Sequence, residues 1–181
     1  MFQVIPKMNT AGRFGDANRT VELLITSDDR RAKELISVLT QDNEKRKTIQ
    51  NKMADDATQK VNVEVNSEKD KAIILFDKKW HPGILGVVAS KLKEEYNRSV
   101  IVISNGDEGL CIGSGRSIRS FDMVAALKYS GKYLMKFGGH HMAAGFAMKE
   151  KKCKRIQNDV FTLCTRKNSG NRSCSKNSNR G

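Results

Sequence analysis

Ala72-Ile73-Ile74-Leu75-Phe76-Asp77-Lys78-Lys79-Trp80-His81-Pro82-Gly83-Ile84-Leu85-Gly86-Val87-Val88-Ala89-Ser90-Lys91-Leu92 passes from an apolar pentapeptide through a turn into a helical pattern, and this succession decides the fold. The first five residues are an unbroken apolar run of the length of a buried strand. Pro82 suits the first position of a helix, because it has no N–H to leave unsatisfied and its φ is already helical. From Gly83 to about Tyr96, Ile84, Val87, Val88 and Leu92 recur on one face, so an amphipathic helix is expected. Val100-Ile101-Val102-Ile103-Ser104 supplies a second buried strand. Strand, helix and strand in this order imply an α/β architecture, expected as a mixed, mostly parallel sheet flanked by helices.

Upstream, residues 18–25 read as a short helix. Ser27 or Asp28 can cap a long one reaching about Thr58, with Ala32, Leu35, Ile36, Leu39, Ile49 and Met53 three or four apart. Between Leu39 and Ile49 that stripe thins to Gln41-Asp42-Asn43-Glu44-Lys45-Arg46-Lys47, so packing is expected at the two ends of a bridging helix. Residues 61–65 are a strand or a linker. Downstream come a turn at 105–109, a strand at 110–113, a helix from 122 to about 134, a Gly-rich segment at 138–145, a strand near 145–148 and a last helix at 150–164. The domain division is therefore 1–60, 61–164 and a disordered tail at 165–181.

The chain has 181 residues, enough for one full-sized domain with appendages. Its formal net charge is +13, which suggests a polyanionic partner, most simply nucleic acid. The charge is uneven: residues 151–181 hold nine basic side chains against Asp159, a net +8, and the first 150 residues carry only +5. Residues 165–181 lack any aliphatic or aromatic side chain and cannot bury enough surface to offset their ordering entropy. They read either as a nucleic-acid-binding tail or as a truncated or out-of-frame end without a selected role. The longest apolar runs are far below the roughly 20 residues of a membrane span, and no secretory signal opens the chain, so a cytoplasmic protein is expected. Cys111, Cys153, Cys164 and Cys174 include no C-x-x-C pair; reduced thiols are expected rather than disulfides or a zinc site.

Four motifs carry chemistry. Trp80-His81-Pro82-Gly83 places a helix N-terminus at a strand end, where N–H groups and the dipole favour an anion; it reads equally as a plain strand-to-helix turn with Trp80 in the core. Gly113-Ser114-Gly115-Arg116-Ser117 offers glycines past which a phosphate could approach the backbone, hydroxyls at Ser114 and Ser117, and a guanidinium able to grip phosphate oxygens bidentately. It reads equally as a bend with an exposed arginine. Gly138-Gly139-His140-His141-Met142-Ala143-Ala144-Gly145 sets histidines among small residues without a cluster of carboxylates, so substrate contact is favoured over metal ligation. Pro6-Lys7-Met8-Asn9-Thr10-Ala11-Gly12-Arg13 is a loop that could present another phosphate contact or cap the helices that follow.

Taken together and in this order, the four motifs resemble the C-terminal half of the RecJ single-strand-specific exonucleases of the DHH phosphoesterase superfamily. The likeness spans about residues 3–163 and runs from Pro6 to Arg13, Trp80 to Leu92, Gly113 to Ile118 and Phe137 to Gly145. It implies a two-lobed 5′-to-3′ single-stranded-DNA exonuclease of repair and recombination. A DHH lobe would bind two Mn²⁺ or Mg²⁺ ions for hydrolysis by a metal-activated water, and a long helix would lead to the DHH-associated lobe that holds substrate. This sequence contains no Asp-His-His triplet, so the chain is expected to be the bridging helix and substrate lobe, without a cofactor of its own and inactive alone. The expected partners are single-stranded DNA with a 5′-phosphate and a separately encoded DHH lobe; no membrane partner is expected.

Carried over residue by residue, the resemblance assigns Ser114 and Arg116 to the 5′-terminal phosphate and Arg13, with Asn9 in the same motif, to a contact near it. Gly138, Gly139 and His140 match the motif facing the scissile phosphate, with His140 the catalytic candidate, and His81 matches a further substrate-binding position. The sequence departs from the family at Lys7, where Arg is usual, at Thr10, where Ala is usual, and at Arg119-Ser120. Other readings stay open: a phosphodiesterase of short oligonucleotides or cyclic dinucleotides, or a non-catalytic nucleic-acid-binding module from a split or decaying gene.

Overall fold

The structure is a computed structural model and describes residues 9, 10, 12, 17–66 and 70–152. The described residues fall into two compact units, one up to Asp56 and one from Ala57 onward. The expected last helix beyond residue 152 and the tail at 165–181 lie outside the described residues; residues 150–152 form a short 3-10 turn.

Helix α1 spans Asn18–Ile25 and helix α2 spans Asp29–Glu64. Of the two candidate caps for α2, Asp28 serves: its Oδ1 accepts from the backbone N–H groups of Arg30 at 2.8 Å and Arg31 at 3.4 Å, satisfying donors that the first turn leaves without helical partners. The Arg31 guanidinium reaches back to Glu22 of α1 at 2.6 and 3.1 Å.

Apolar burial in α2 falls toward its two ends, as expected; the departures are a buried polar residue between them and two expected core positions that are exposed. Leu35, Leu39, Asn43, Met53, Ala54, Ala57 and Val61 are all buried, whereas Ile36 and Ile49, expected in the core, are exposed. Mid-helix burial is polar: Thr10 Oγ1 donates to Asn43 Oδ1 at 3.2 Å, and Arg46 Nε donates to the same oxygen at 3.3 Å. A hydrogen-bonded Asn can occupy an inward position at little net cost, and a search for apolar spacing passes over it. The four-residue step from Ala57 to Val61 also carries α2 through residues 61–64, so these are helix rather than strand or linker.

The second unit holds a five-stranded sheet of β1 (Ala72–Phe76), β2 (Ser99–Asn105), β3 (Leu110–Arg116), β4 (Leu134–His140) and β5 (Ala143–Lys149), with helices α3 (Leu85–Tyr96) and α4 (Met123–Tyr129). The strand order is β1-β2-β3-β5-β4. The α/β class with a mixed sheet stands, but its balance is corrected: β1 and β2 pair in parallel, and the pairs β2–β3, β3–β5 and β4–β5 are antiparallel. A parallel pair needs a long crossover, which α3 provides between β1 and β2. The turns at 106–109 and 141–142 are too short for one. Helix α4 does link two strands of the same direction, β3 and β4, but β5 folds back between them.

Helix α3 packs on β2 and β3, burying Leu85, Val88, Ala89 and Leu92. Twelve residues are marginal for an isolated helix; burying each leucine contributes roughly 1.5–3 kcal/mol, so the sheet contact stabilises it. The opposite face of the sheet carries a second core of Ile101, Ile103, Cys111, Met123, Leu127, Phe146 and Met148, closed by α4 against β4 and β5. Asp122 caps α4 by accepting from Ala125 N–H at 2.9 Å. The helix expected to run to about 134 stops at Tyr129, and a 3-10 turn at Gly131–Tyr133 leads into β4.

Candidate functional site

Side chains alternate across a strand, and β3 uses this to split the Gly-Ser-Gly-Arg-Ser motif. Ser114 and Arg116 face α3; Gly113 and Gly115 face the second core. A Cβ at Gly113 would strike the Phe146 ring, and one at Gly115 would lie 2.6 Å from Met123 Sδ. The expectation that these glycines open the backbone to a phosphate is therefore corrected: the space is filled by core side chains. Ser117 is corrected too. It is fully buried, and its hydroxyl contacts Phe121 O at 2.6 Å and Ser99 Oγ at 3.0 Å.

Arg116, half-buried at the end of β3, is fixed from several sides. Its Nη1 donates to Ser114 Oγ at 3.0 Å and to Gly115 O at 2.8 Å, and its Nε donates to Ser90 Oγ at 3.1 Å. These acceptors are neutral oxygens, so the bonds orient the guanidinium without neutralising its charge. Ser90 in turn donates to Gly86 O at 2.9 Å. Gly86, in the first turn of α3, gives the guanidinium room: a Cβ there would stand 2.6 Å from Arg116 Nη2 and 3.1 Å from Ser114 Oγ. Sequence reasoning missed Gly86 and Ser90 as site residues; their spacing of four, one helical turn on one face, was the available signal.

The Gly-rich segment at 138–145, given no element from sequence, is mostly strand. Across the sheet, Ser114 pairs with Gly145 and Gly145 with Gly138; Arg116 pairs with Ala143 and Ala143 with His140. Paired residues share a face, so Ser114, Arg116, Gly138 and His140 all lie on the face of the sheet that carries α3. Gly138, His140 and Gly145 are exposed there. The floor beside Arg116 thus consists of small residues, with exposed Lys136 and Lys149 on the same face by register. Gly139 has φ +143 and a Cβ would run into Ala143 O and Ala144, a position that only glycine fills without strain. His140 Nδ1 accepts from Met142 N–H at 3.2 Å. The turn is pinned from both sides, since Ser117 N–H donates to Met142 O at 2.8 Å and Met123 N–H to His141 O at 3.0 Å.

His81 caps the 3-10 turn Pro82–Ile84 that enters α3, its Nδ1 accepting from Gly83 N–H at 3.1 Å. Trp80 is buried, as the plain-turn reading had it, with its carbonyl bonded to the Ser104 hydroxyl. Lys60, near the end of α2, lies 5.9 Å from the Trp80 ring centroid and 3.1 Å from Asp77 Oδ2. Burial pushes the Asp77 carboxyl up, but the Lys79 N–H and the Lys60 ammonium outweigh it and hold the group below the usual carboxylate range.

Asn9 is exposed, and Arg13 lies outside the described residues. Among the described residues no three His, Cys, Asp or Glu side chains are grouped as ligands of a metal ion, so the donor set does not fit a two-metal centre and gives these residues no metal-dependent step. Among the same residues no helix is long and apolar enough to cross a membrane.

Residues 69–165 match the DHHA1 domain family. The chain belongs to that family. The single-stranded-DNA-specific exonuclease RecJ of Bacillus subtilis is 38% identical over 149 residues, which are 82% of this chain and 19% of that protein. RecJ of Escherichia coli is 34% identical, over 91% of this chain and 30% of its own length. The crystal structure of Thermus thermophilus RecJ in complex with Mg²⁺ superimposes with a TM-score of 0.80 at 33% identity, covering 91% of this chain and 25% of that one. A RecJ bound to manganese gives 0.79. This DHHA1 chain is thus homologous to RecJ and spans between about a fifth and a third of the curated relatives.

Proposed function

We propose that this chain is the substrate-binding part of a RecJ-like 5′-to-3′ single-stranded-DNA exonuclease, and that it holds a strand by its 5′-phosphate. The observation that carries the reading is Arg116, held by Ser90, Ser114 and Gly115 beside an open floor of small residues. A guanidinium held at the end of β3 supplies a positive charge that suits phosphate oxygens, and a floor of Gly138, Ala143 and Gly145 lets a sugar-phosphate backbone lie close to the sheet. Ser114 adds a hydroxyl, and the exposed lysines add charge along the path. His140, in line with Arg116 across two strand pairings, would stand near the scissile phosphate; Gly139 shapes the turn that holds it. His81 is a further proposed contact in the same unit; Asn9 and Arg13 are proposed as substrate contacts on the resemblance of their motif alone. Hydrolysis would need Mn²⁺ or Mg²⁺ bound by a DHH lobe, which a separate chain could supply, so this chain alone binds without cutting.

The test is a binding comparison of 5′-phosphorylated and 5′-hydroxyl single strands, with dinucleotides as a third ligand, for the wild-type chain and Arg116→Ala. The wild type is expected to prefer long phosphorylated strands, and the variant to lose that preference. Equal losses for both ends would overturn the assignment. Robust hydrolysis by the chain alone with Mn²⁺ would overturn its role as a binding part only.

A further inference from the structure

Resting on the reading that the 5′ end lies at the Arg116 and His140 end of the sheet, we infer that Lys136 and Lys149 contact internal phosphates further along the strand. The sheet then binds an extended segment of several nucleotides in one polarity. The observation is a run of positive charge on one face with no acid opposing it. Strands β3, β4 and β5 contain Arg116, Lys136, His140 and Lys149 and no Asp or Glu. Among the described residues neither Lys136 nor Lys149 has an ion-pair or hydrogen-bond partner. Glu150, next to Lys149 in sequence, is taken up by Lys78 at 3.1 Å.

Register sets the spacing. Arg116, Ala143 and His140 lie side by side, then Ser114, Gly145 and Gly138, then Ile112, Ala147 and Lys136, then Leu110 and Lys149. Each row lies about 7 Å beyond the one before, close to the separation of successive phosphates in an extended single strand. Helix α3 packs on β2 and β3, and α4 closes the opposite face. The β5–β4 half of the α3 face is open, with Lys136, Gly138, His140, Gly145 and Lys149 exposed. A strand with its terminal phosphate by Arg116 and its next by His140 can cross the glycine row close to the backbone. It then brings about its fourth and fifth phosphates to Lys136 and Lys149. Charge sets the direction. Past His140 the sheet ends in the turn at 141–142, whereas the other way leads to the two lysines. Asp107 and Glu108 lie in the turn before Leu110, so the positive run ends at the Lys149 row. A lysine ammonium is a point charge on a flexible stem, suited to following internal phosphates without selecting a base.

The experiment compares the full wild-type chain with Lys136→Gln, Lys149→Gln, the double variant and Lys71→Gln. Lys71 is exposed beside β1, at the opposite edge of the sheet, and controls for the loss of charge alone. The ligands are a 5′-phosphorylated dinucleotide, a 5′-phosphorylated hexanucleotide and its 5′-hydroxyl counterpart, each titrated over a range of salt. The double variant should bind the phosphorylated hexanucleotide about tenfold more weakly, as two exposed charge contacts would give. Each lysine removed should lower the slope of log affinity against log salt by about 0.7. Dinucleotide affinity should stay within about twofold of wild type, being set beyond the reach of the lysines in screened solution, and Lys71→Gln should match wild type throughout. A nitroxide on the 3′ end of the hexanucleotide should broaden the amide resonances of Leu110 and Lys149 more than that of His140. Equal losses for dinucleotide and hexanucleotide, or the same loss in Lys71→Gln, overturn the track in favour of general charge. Broadening strongest at His140 overturns the polarity. An unchanged salt slope in the double variant, with the 5′-phosphate preference kept, overturns the lysine contacts and leaves the reading of the Arg116 end standing. No preference for the 5′-phosphate in wild type, with the lysine effects present, overturns that reading and leaves the lysine contacts standing.

Discussion

The Phe146 ring on β5 occupies the space into which a Cβ at Gly113 on β3 would project. The pair are direct partners across the sheet, so the small residue and the large one interlock in the core shared with Met123 and Met148. Gly113→Ala should therefore destabilise the fold by about 1–3 kcal/mol through overpacking, read as a lowered midpoint in urea. Phe146→Leu in the same chain should recover part of that loss. A Gly113→Ala chain as stable as wild type would show that the glycine serves some purpose other than this contact.

This pairing also explains which parts of the molecule the sequence made legible. The run from Ala72 to Leu92 reads directly as strand, turn and helix, because apolar period and Pro82 point the same way. Strand β4 was hidden, since Gly138-Gly139 is poor strand sequence and its pairing with Gly145 and Ala144 exists only in the tertiary fold. Buried Asn43 was hidden for a related reason: its partner Thr10 is 33 residues away. At the site, Ser114 and Arg116 were visible as chemistry, but which glycines serve the ligand side was not. Strand parity assigns Gly113 and Gly115 to the core, and the packing of α3 on the sheet brings Gly86 to Arg116.

Arg116→Lys tests whether planarity, rather than charge, matters. Lysine keeps the positive charge but cannot bond Ser90 and Ser114 with one fork. General affinity for single strands should stay within about threefold of wild type, whereas the preference for a 5′-phosphate should fall by about tenfold. Competition between phosphorylated and hydroxyl oligonucleotides measures both quantities. A lysine variant with wild-type preference would reduce the site to simple charge attraction.

Deleting residues 165–181 should act differently. That segment carries five basic residues, Arg166, Lys167, Arg172, Lys176 and Arg180, and no acidic one. Each phosphate neutralised on a single strand contributes about −0.7 to the slope of log affinity against log salt. The deletion should therefore weaken binding of all strands alike and flatten that slope, leaving the terminal-phosphate preference intact. A slope identical to that of the full chain would mean the tail takes no part in binding.

The contact between Lys60 and Asp77 makes a pH prediction whose sign is fixed by the direction of the shift. Asp77 bonds Lys60 at 3.1 Å and Lys79 N–H at 2.9 Å, and its folded carboxyl lies below its ordinary range. A carboxyl that binds its proton less readily when folded stabilises the fold above its unfolded pKa, about 4, and loses that contribution as pH falls through the lower folded value. Asp77→Asn retains an oxygen for Lys79 N–H and removes only the charge. The melting temperatures of wild type and Asp77→Asn should therefore differ most near neutral pH and converge from about pH 4 downward. In a Lys60→Met background the neutral-pH difference should shrink, because the ammonium that favours the carboxylate is gone. A difference that stays constant between about pH 7 and 3, or that widens toward acid, would contradict the assignment of Lys60 and Asp77 as a charge-dependent clasp between the end of α2 and the turn that leads into Trp80 and His81.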